Sequence, residues 1–117
     1  MQREYGIYAQ GDGVYLYKRA IADFDMVTTL APGQAKPYNQ RGMAYALQGD
    51  DARALADFNK AIELDPNDFW PYYNRGMIYK QEGKKVKAIA DFNKAISLTD
   101  DPEVIQRATQ EIDELSR

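Results

Sequence analysis

Apolar residues in the middle of the chain recur on a helical period. Ala54, Phe58 and Ala61 stand at i, i+4 and i+7, with Leu55, Ile62 and Leu64 beside them and Asp57, Asn59, Lys60 and Glu63 between. That spacing places the apolar set on one face of a 3.6-residue helix. The same phrase returns 34 residues later: "ALADFNKAIELDP" (54–66) and "AIADFNKAISLTD" (88–100) agree at nine of thirteen positions. An earlier echo, "AIADFDMVTTLAP" (20–32), lies 34 residues upstream. The segments ahead of the phrase also align without a gap, "YNQRGMAYALQGD" (38–50) on "YYNRGMIYKQEGK" (72–84). Self-similarity at one fixed period of this size is the mark of a stacked array of identical supersecondary units.

The breaks between apolar stretches give each unit its internal order. Gly49 and Gly83 suit the left-handed position that closes a helix. Asp50 or Asp51 can then accept the free N–H groups of the next one. Pro66 cannot continue a helix and pushes Asp65 out of the helical region. Asp68 is placed to cap the next helix, with Pro71 in its first turn. The predicted helices are 35–48, 51–64, 69–82 and 85–98, two per unit. In "DDPEVIQRATQEIDELSR", Asp100 or Asp101 caps a last helix with Pro102 at its start. Val104, Ile105, Ala108, Ile112 and Leu115 form its apolar face, and its polar outer face suits the end of a stack.

The first unit departs from the pattern. Ala20, Phe24, Leu30 and Pro32 keep phase, with Val27 in place of a small residue. Gly6 and Gly13 keep the spacing of seven found for Gly42 and Gly49, but Gly13 stands seven residues before Ala20, where Gly49 stands five before Ala54. Two extra residues therefore fall in "QGDGVY" (10–15). The expectation is a short helix over 2–10, a turn, and a partner over 14–30, leaving Tyr5, Tyr8, Tyr15 and Tyr17 on an exposed edge. The single domain then divides into an irregular unit (1–34), two full units (35–68 and 69–102) and a capping helix (103–117).

This pattern resembles the tetratricopeptide repeat family. The family's run of large residue, Gly, aromatic, Ala, Phe, Ala and Pro falls on Tyr38, Gly42, Tyr45, Ala54, Phe58, Ala61 and Pro66. It falls again on Tyr72, Gly76, Tyr79, Ala88, Phe92 and Ala95, with Asp100 at the Pro position. Arg41 and Arg75 stand where the family is usually apolar. The resemblance implies an all-α, right-handed solenoid of antiparallel helix pairs, about three units plus the cap. Gly42 and Gly76 leave room for the partner helix, and Phe58 and Phe92 fill the space between units.

Composition removes other classes of function. With 117 residues and a net charge of −3, the chain is one small acidic domain. That balance argues against nucleic acid as a partner. It contains no Cys and no His, which takes away thiolate chemistry, the commonest metal ligand and the commonest general base. No apolar run approaches the roughly 20 residues of a membrane span, so no membrane insertion is expected. Nor does a signal peptide open the chain, which favours a cytoplasmic location. Helix capping accounts for the boundary aspartates without a metal. "KQEGKKVK" (80–87) reads as a solvated turn, and Ser97 and Ser116 lack a base partner. No enzyme activity and no cofactor are expected.

Two further constellations recur with the period. Asp23, Asp57 and Asp91 flank the core Phe, and Arg41 and Arg75 flank the Gly. They predict ion pairs, either between units (Asp23–Arg41, Asp57–Arg75) or within them (Arg41–Asp57, Arg75–Asp91). The first helices carry the positions that differ between units. By the family resemblance they line a concave groove: Lys36, Asn39, Gln40, Met43, Ala46 and Leu47, then Trp70, Tyr73, Asn74, Met77, Lys80 and Gln81. Tyr, Trp and Met supply apolar contact, asparagine amides suit a peptide backbone, and Lys36 and Lys80 suit a carboxylate. The expected partner is a protein or peptide segment in that groove. The family's clamp for chaperone C-terminal carboxylates needs Lys and Asn where Arg3 and Ile7 stand, Asn where Gln40 stands, and Lys and Arg where Trp70 and Asn74 stand. That motif is absent, so chaperone tails are not the expected ligand. The alternatives are a scaffold that self-assembles into a homo-oligomer through the irregular Tyr-rich first unit, and a regulatory fragment of a larger protein.

Overall fold

The computed structural model describes the chain from Gln2 onward and its side chains from Tyr15 onward. The described residues form six helices: α1 (Gln2–Leu30), α2 (Ala35–Leu47), α3 (Asp51–Leu64), α4 (Phe69–Gln81), α5 (Lys85–Ser97) and α6 (Pro102–Leu115). α2 pairs with α3 and α4 with α5. α1 packs on α2, α3 on α4 and α5 on α6, so each neighbour in sequence is a neighbour in space. This is the all-α helical-repeat solenoid expected from the 34-residue period.

The turns form for the reasons visible in the sequence. Gly49 and Gly83 have φ of 82° and 76°. The Asp50 N–H bonds back to the Tyr45 carbonyl at 2.9 Å, and the Lys84 N–H to the Tyr79 carbonyl at 2.8 Å. These bonds satisfy carbonyls that a helix end would leave free. Asp50, Asp68 and Asp101 cap α3, α4 and α6 by accepting from the N–H groups of Arg53, Trp70 and Glu103. Asp65 accepts from the Asn67 N–H in the turn between units.

The core repeats with the period. Ala54, Phe58 and Ala61 are buried, as are Ala88, Phe92 and Ala95. A Cβ on Gly42 would lie 2.7 Å from Phe58 Cε1, and one on Gly76 3.0 Å from Phe92 Cε1. The glycines are therefore what lets each first helix approach its partner's ring. Val104, Ala108 and Leu115 of α6 close the far end, with Ile112 packed beside Ala88 and Phe92.

The first unit corrects the sequence reading. α1 is one helix of 29 residues, where helices over 2–10 and 14–30 were expected on either side of a turn. Glycine disfavours a helix by only about 1 kcal/mol relative to alanine, and no proline occurs before Pro32. Gly11 and Gly13 therefore permit a break without forcing one. Tyr15 is exposed and Tyr17 half-buried, while Tyr5 and Tyr8 lie outside the side chains described.

Candidate functional site

α2 and α4 lie side by side and enclose a cleft of about 220 Å³. Met43, Ala46 and Leu47 come from α2; Asn74, Met77, Ile78 and Gln81 come from α4; Phe58 of α3 forms part of the lining. No lining residue is charged. Met43 and Leu47 are 44% and 63% exposed and stand one turn apart on α2, so they form a patch with the cleft rather than a lone exposed side chain. Asn74 donates its amide to the Asn39 carbonyl oxygen at 3.0 Å, tying the two first helices together. That bond leaves the Asn74 Oδ1 for another donor, whereas Asn39 is buried and its Nδ2 donates to the Met43 sulfur at 4.0 Å.

The remaining groove positions of the third unit lie against other parts of the chain. Lys80 binds Glu111 and, at 2.9 Å, Glu114, both on α6. These contacts raise the Lys80 ammonium above its ordinary value, the Glu111 hydrogen bond being the main cause. Lys80 in turn lowers the Glu114 carboxyl. Tyr73 is half-buried, with its ring 5.5 Å from Phe92 and 6.0 Å from Trp70. Burial, with Glu111 nearby, pushes its hydroxyl up. Trp70 stays 41% exposed, its ring 4.6 Å from Phe69. Lys36 and Gln40 are exposed on α2. The arrangement therefore brings Met43, Asn74 and Met77 together, joins Asn39 to them by a hydrogen bond, and commits Lys80 to the capping helix.

The Asp–Arg constellation resolves in favour of pairing within units. Arg41 holds Asp57 through both Nε and Nη2, at 2.8 and 2.7 Å, and Arg75 holds Asp91 in the same way at 2.8 Å. Asp57 and Asp91 are each 5% exposed. Such two-point pairs fix orientation as well as charge. The Asp57 bond raises the Arg41 guanidinium, and the Asp91 bond does the same for Arg75. Each arginine also reaches back to the preceding unit, but to neither residue the sequence suggested. Arg41 Nη1 binds Asp25 at 2.9 Å and Thr28 at 3.0 Å; Arg75 Nη1 binds Asn59 at 2.9 Å. Each guanidinium also lies within 6.0 Å of two tyrosine rings of its own helix, Tyr38 and Tyr45 or Tyr72 and Tyr79. This explains how an arginine occupies a position usually apolar in the pattern: its charge is met by carboxylate and ring faces. Asp25 and Asn59 are 34 residues apart, so the repeat register itself carries the signal for this second contact. The Glu111–Glu114 pair carries no such signal, because α6 does not repeat the units before it.

A family model for "TPR repeat" matches residues 42–83, and one for "Tetratricopeptide repeat" matches residues 70–99. Residues 42–99 are tetratricopeptide repeats (TPR). Solved structures agree on the fold of this TPR chain. It matches the first TPR of Spaghetti (RPAP3), bound to the HSP90 peptide SRMEEVD, with a TM-score of 0.79 at 24% identity, covering 97% of this chain and 83% of that one. It matches the Yersinia enterocolitica type III secretion chaperone SycD, in complex with a peptide of the translocator YopD, with a TM-score of 0.83 at 13% identity, covering 98% and 91%. A structure of MamA is matched with a TM-score of 0.77 at 29% identity, covering 86% of the TPR chain but only 53% of MamA. No curated protein matches the sequence. No helix among the described residues is long and apolar enough to cross a membrane.

Proposed function

We propose that this TPR chain is a protein-interaction module without catalytic activity. Its ligand is a peptide or partner segment laid between α2 and α4, with an apolar side chain set among Met43, Leu47 and Met77. The observation that carries this reading is the pairing of exposed apolar side chains with an uncharged cleft. Burying such a patch is the main driving force available to it. Asn74 Oδ1 is the group suited to a ligand backbone, held in place by Asn39, and Trp70, Tyr73, Lys36 and Gln40 form the rim. The RPAP3 domain and SycD each hold a peptide, which supports the mode of binding. The acidic character of the HSP90 peptide does not carry over. Lys80 is already matched by two glutamates, and Gln40, Trp70 and Asn74 do not restore the carboxylate clamp.

The test is a display selection of peptides on the purified chain, followed by titration of the winners against Met43→Glu. Placing an unpaired carboxylate in the cleft should weaken them at least tenfold while the melting temperature stays close to wild type. Unchanged affinity would move the ligand off this face. Self-association through the first unit is a second reading, favoured by Tyr15, Leu16, Val27 and Leu30, all large apolar side chains exposed on α1.

A further inference from the structure

The second and third units define what a complete first unit requires. In α3, Ala54, Phe58 and Ala61 are 0%, 1% and 0% exposed; in α5, Ala88, Phe92 and Ala95 are all 0%. In each case the covering element is the first helix of the same unit, whose glycine lies against the ring. On α1 the matching residues are Ala20, Phe24 and Val27. Ala20 and Phe24 are only half-buried, and Val27 is 39% exposed. A single continuous helix offers no antiparallel partner to its own face, so α1 leaves this face uncovered.

We propose that residues 2–13 of a second copy supply the missing first helix, packing on Ala20, Phe24 and Val27, and that the exchange is reciprocal. The inference rests on the self-association reading and names its site and its donor. Residues 2–13 suit the role because Gly6 and Gly13 repeat the seven-residue spacing of Gly42–Gly49 and Gly76–Gly83. Gly6 then meets Phe24 as Gly42 meets Phe58. A continuous α1 directs this segment away from its own unit, which is the geometry of exchange between copies. The exchanged helix also adds a first helix beside α2, extending the groove by one unit.

Sedimentation equilibrium across a concentration range reads the outcome on the full chain. Wild type should be a dimer. Val27→Glu, which sets a carboxylate in the covered face, should raise the dimer dissociation constant by roughly 100-fold or more. Gly6→Leu should weaken the dimer too, although leucine is a better helix former than glycine, because its bulk meets Phe24. Met26→Lys is the control: Met26 is 64% exposed and matches Lys60 in register, so it should leave the dimer intact. Circular dichroism melts on each variant separate lost pairing from lost folding. A strictly monomeric wild type overturns both the exchange and the self-association reading. A dimer insensitive to Val27→Glu and Gly6→Leu, or broken by Met26→Lys alone, keeps self-association but overturns this site.

Discussion

Gly42→Ala tests the packing logic of the repeat most sharply, because two opposing effects are of similar size. The added methyl would stand 2.7 Å and 2.9 Å from two ring carbons of Phe58 and 3.2 Å from the Ala54 carbonyl oxygen. Carbon atoms rest at about 3.5–4.0 Å. Phe58 is 1% exposed and cannot swing aside, and the carbonyl belongs to a helix backbone. Overpacking of this kind costs about 1–3 kcal/mol, against a helix-propensity gain of about 1 kcal/mol for replacing glycine. The net effect in the wild-type background is a loss of up to about 2 kcal/mol. In a Phe58→Leu background the offending ring carbons are gone, and the same substitution should be neutral or stabilising. The coupling energy of the double-mutant cycle should therefore be about 1–3 kcal/mol. Gly76→Ala, whose nearest ring carbon is 3.0 Å away, should cost less than Gly42→Ala. Urea unfolding followed by far-UV circular dichroism measures all of these. A cycle with no coupling, or a Gly42→Ala variant more stable than wild type, would refute the close approach of α2 to Phe58.

The ion pairs make their own predictions. Asp57→Ala leaves Arg41 half-buried without its two-point partner and should cost about 3 kcal/mol, whereas Asp25→Ala, at a side chain 53% exposed, should cost less than about 1 kcal/mol. Equal losses in urea unfolding would contradict the division of labour around Arg41. The Glu114 carboxyl is lowered by Lys80 in the folded chain, so its contribution is present above its unfolded value near 4.5 and is lost as pH falls through the lower folded value. The melting-temperature gap between wild type and Glu114→Gln should therefore narrow on acidification below about pH 4.5. A gap that widens there would reverse the assigned sign.

How much of the fold and the groove is legible in the sequence depends on what repeats. Helices predicted at 35–48, 51–64, 69–82 and 85–98 end within a residue of α2 to α5, because glycine and proline punctuate them by local backbone rules. Gly42 and Phe58 can be paired from sequence because the register recurs. The first unit differs at 10–15, where glycine makes a turn possible without requiring it, and only packing decides. Asp23 matches Asp57 in the repeat, which makes it the natural partner to expect for Arg41. On a helix, however, residues two apart point to nearly opposite sides. Asp57 turns into its own unit, and it is positions 25 and 59 that reach across to the next. In the candidate groove, Lys80 reads as a free cation because nothing in the repeat announces Glu111 and Glu114, which belong to a helix outside the pattern. Asn39 and Asn74 read as separate ligand-binding amides, and only the closeness of α2 and α4 bonds them to each other.

The most direct measurement is chemical-shift mapping by NMR with a display-selected peptide titrated into the labelled chain. Binding in the groove predicts the largest shifts at Met43, Leu47, Asn74, Met77 and Gln81, with α5 and the outer face of α3 unchanged. Shifts concentrated on the outward faces of α3 and α5, with these five residues silent, would contradict it.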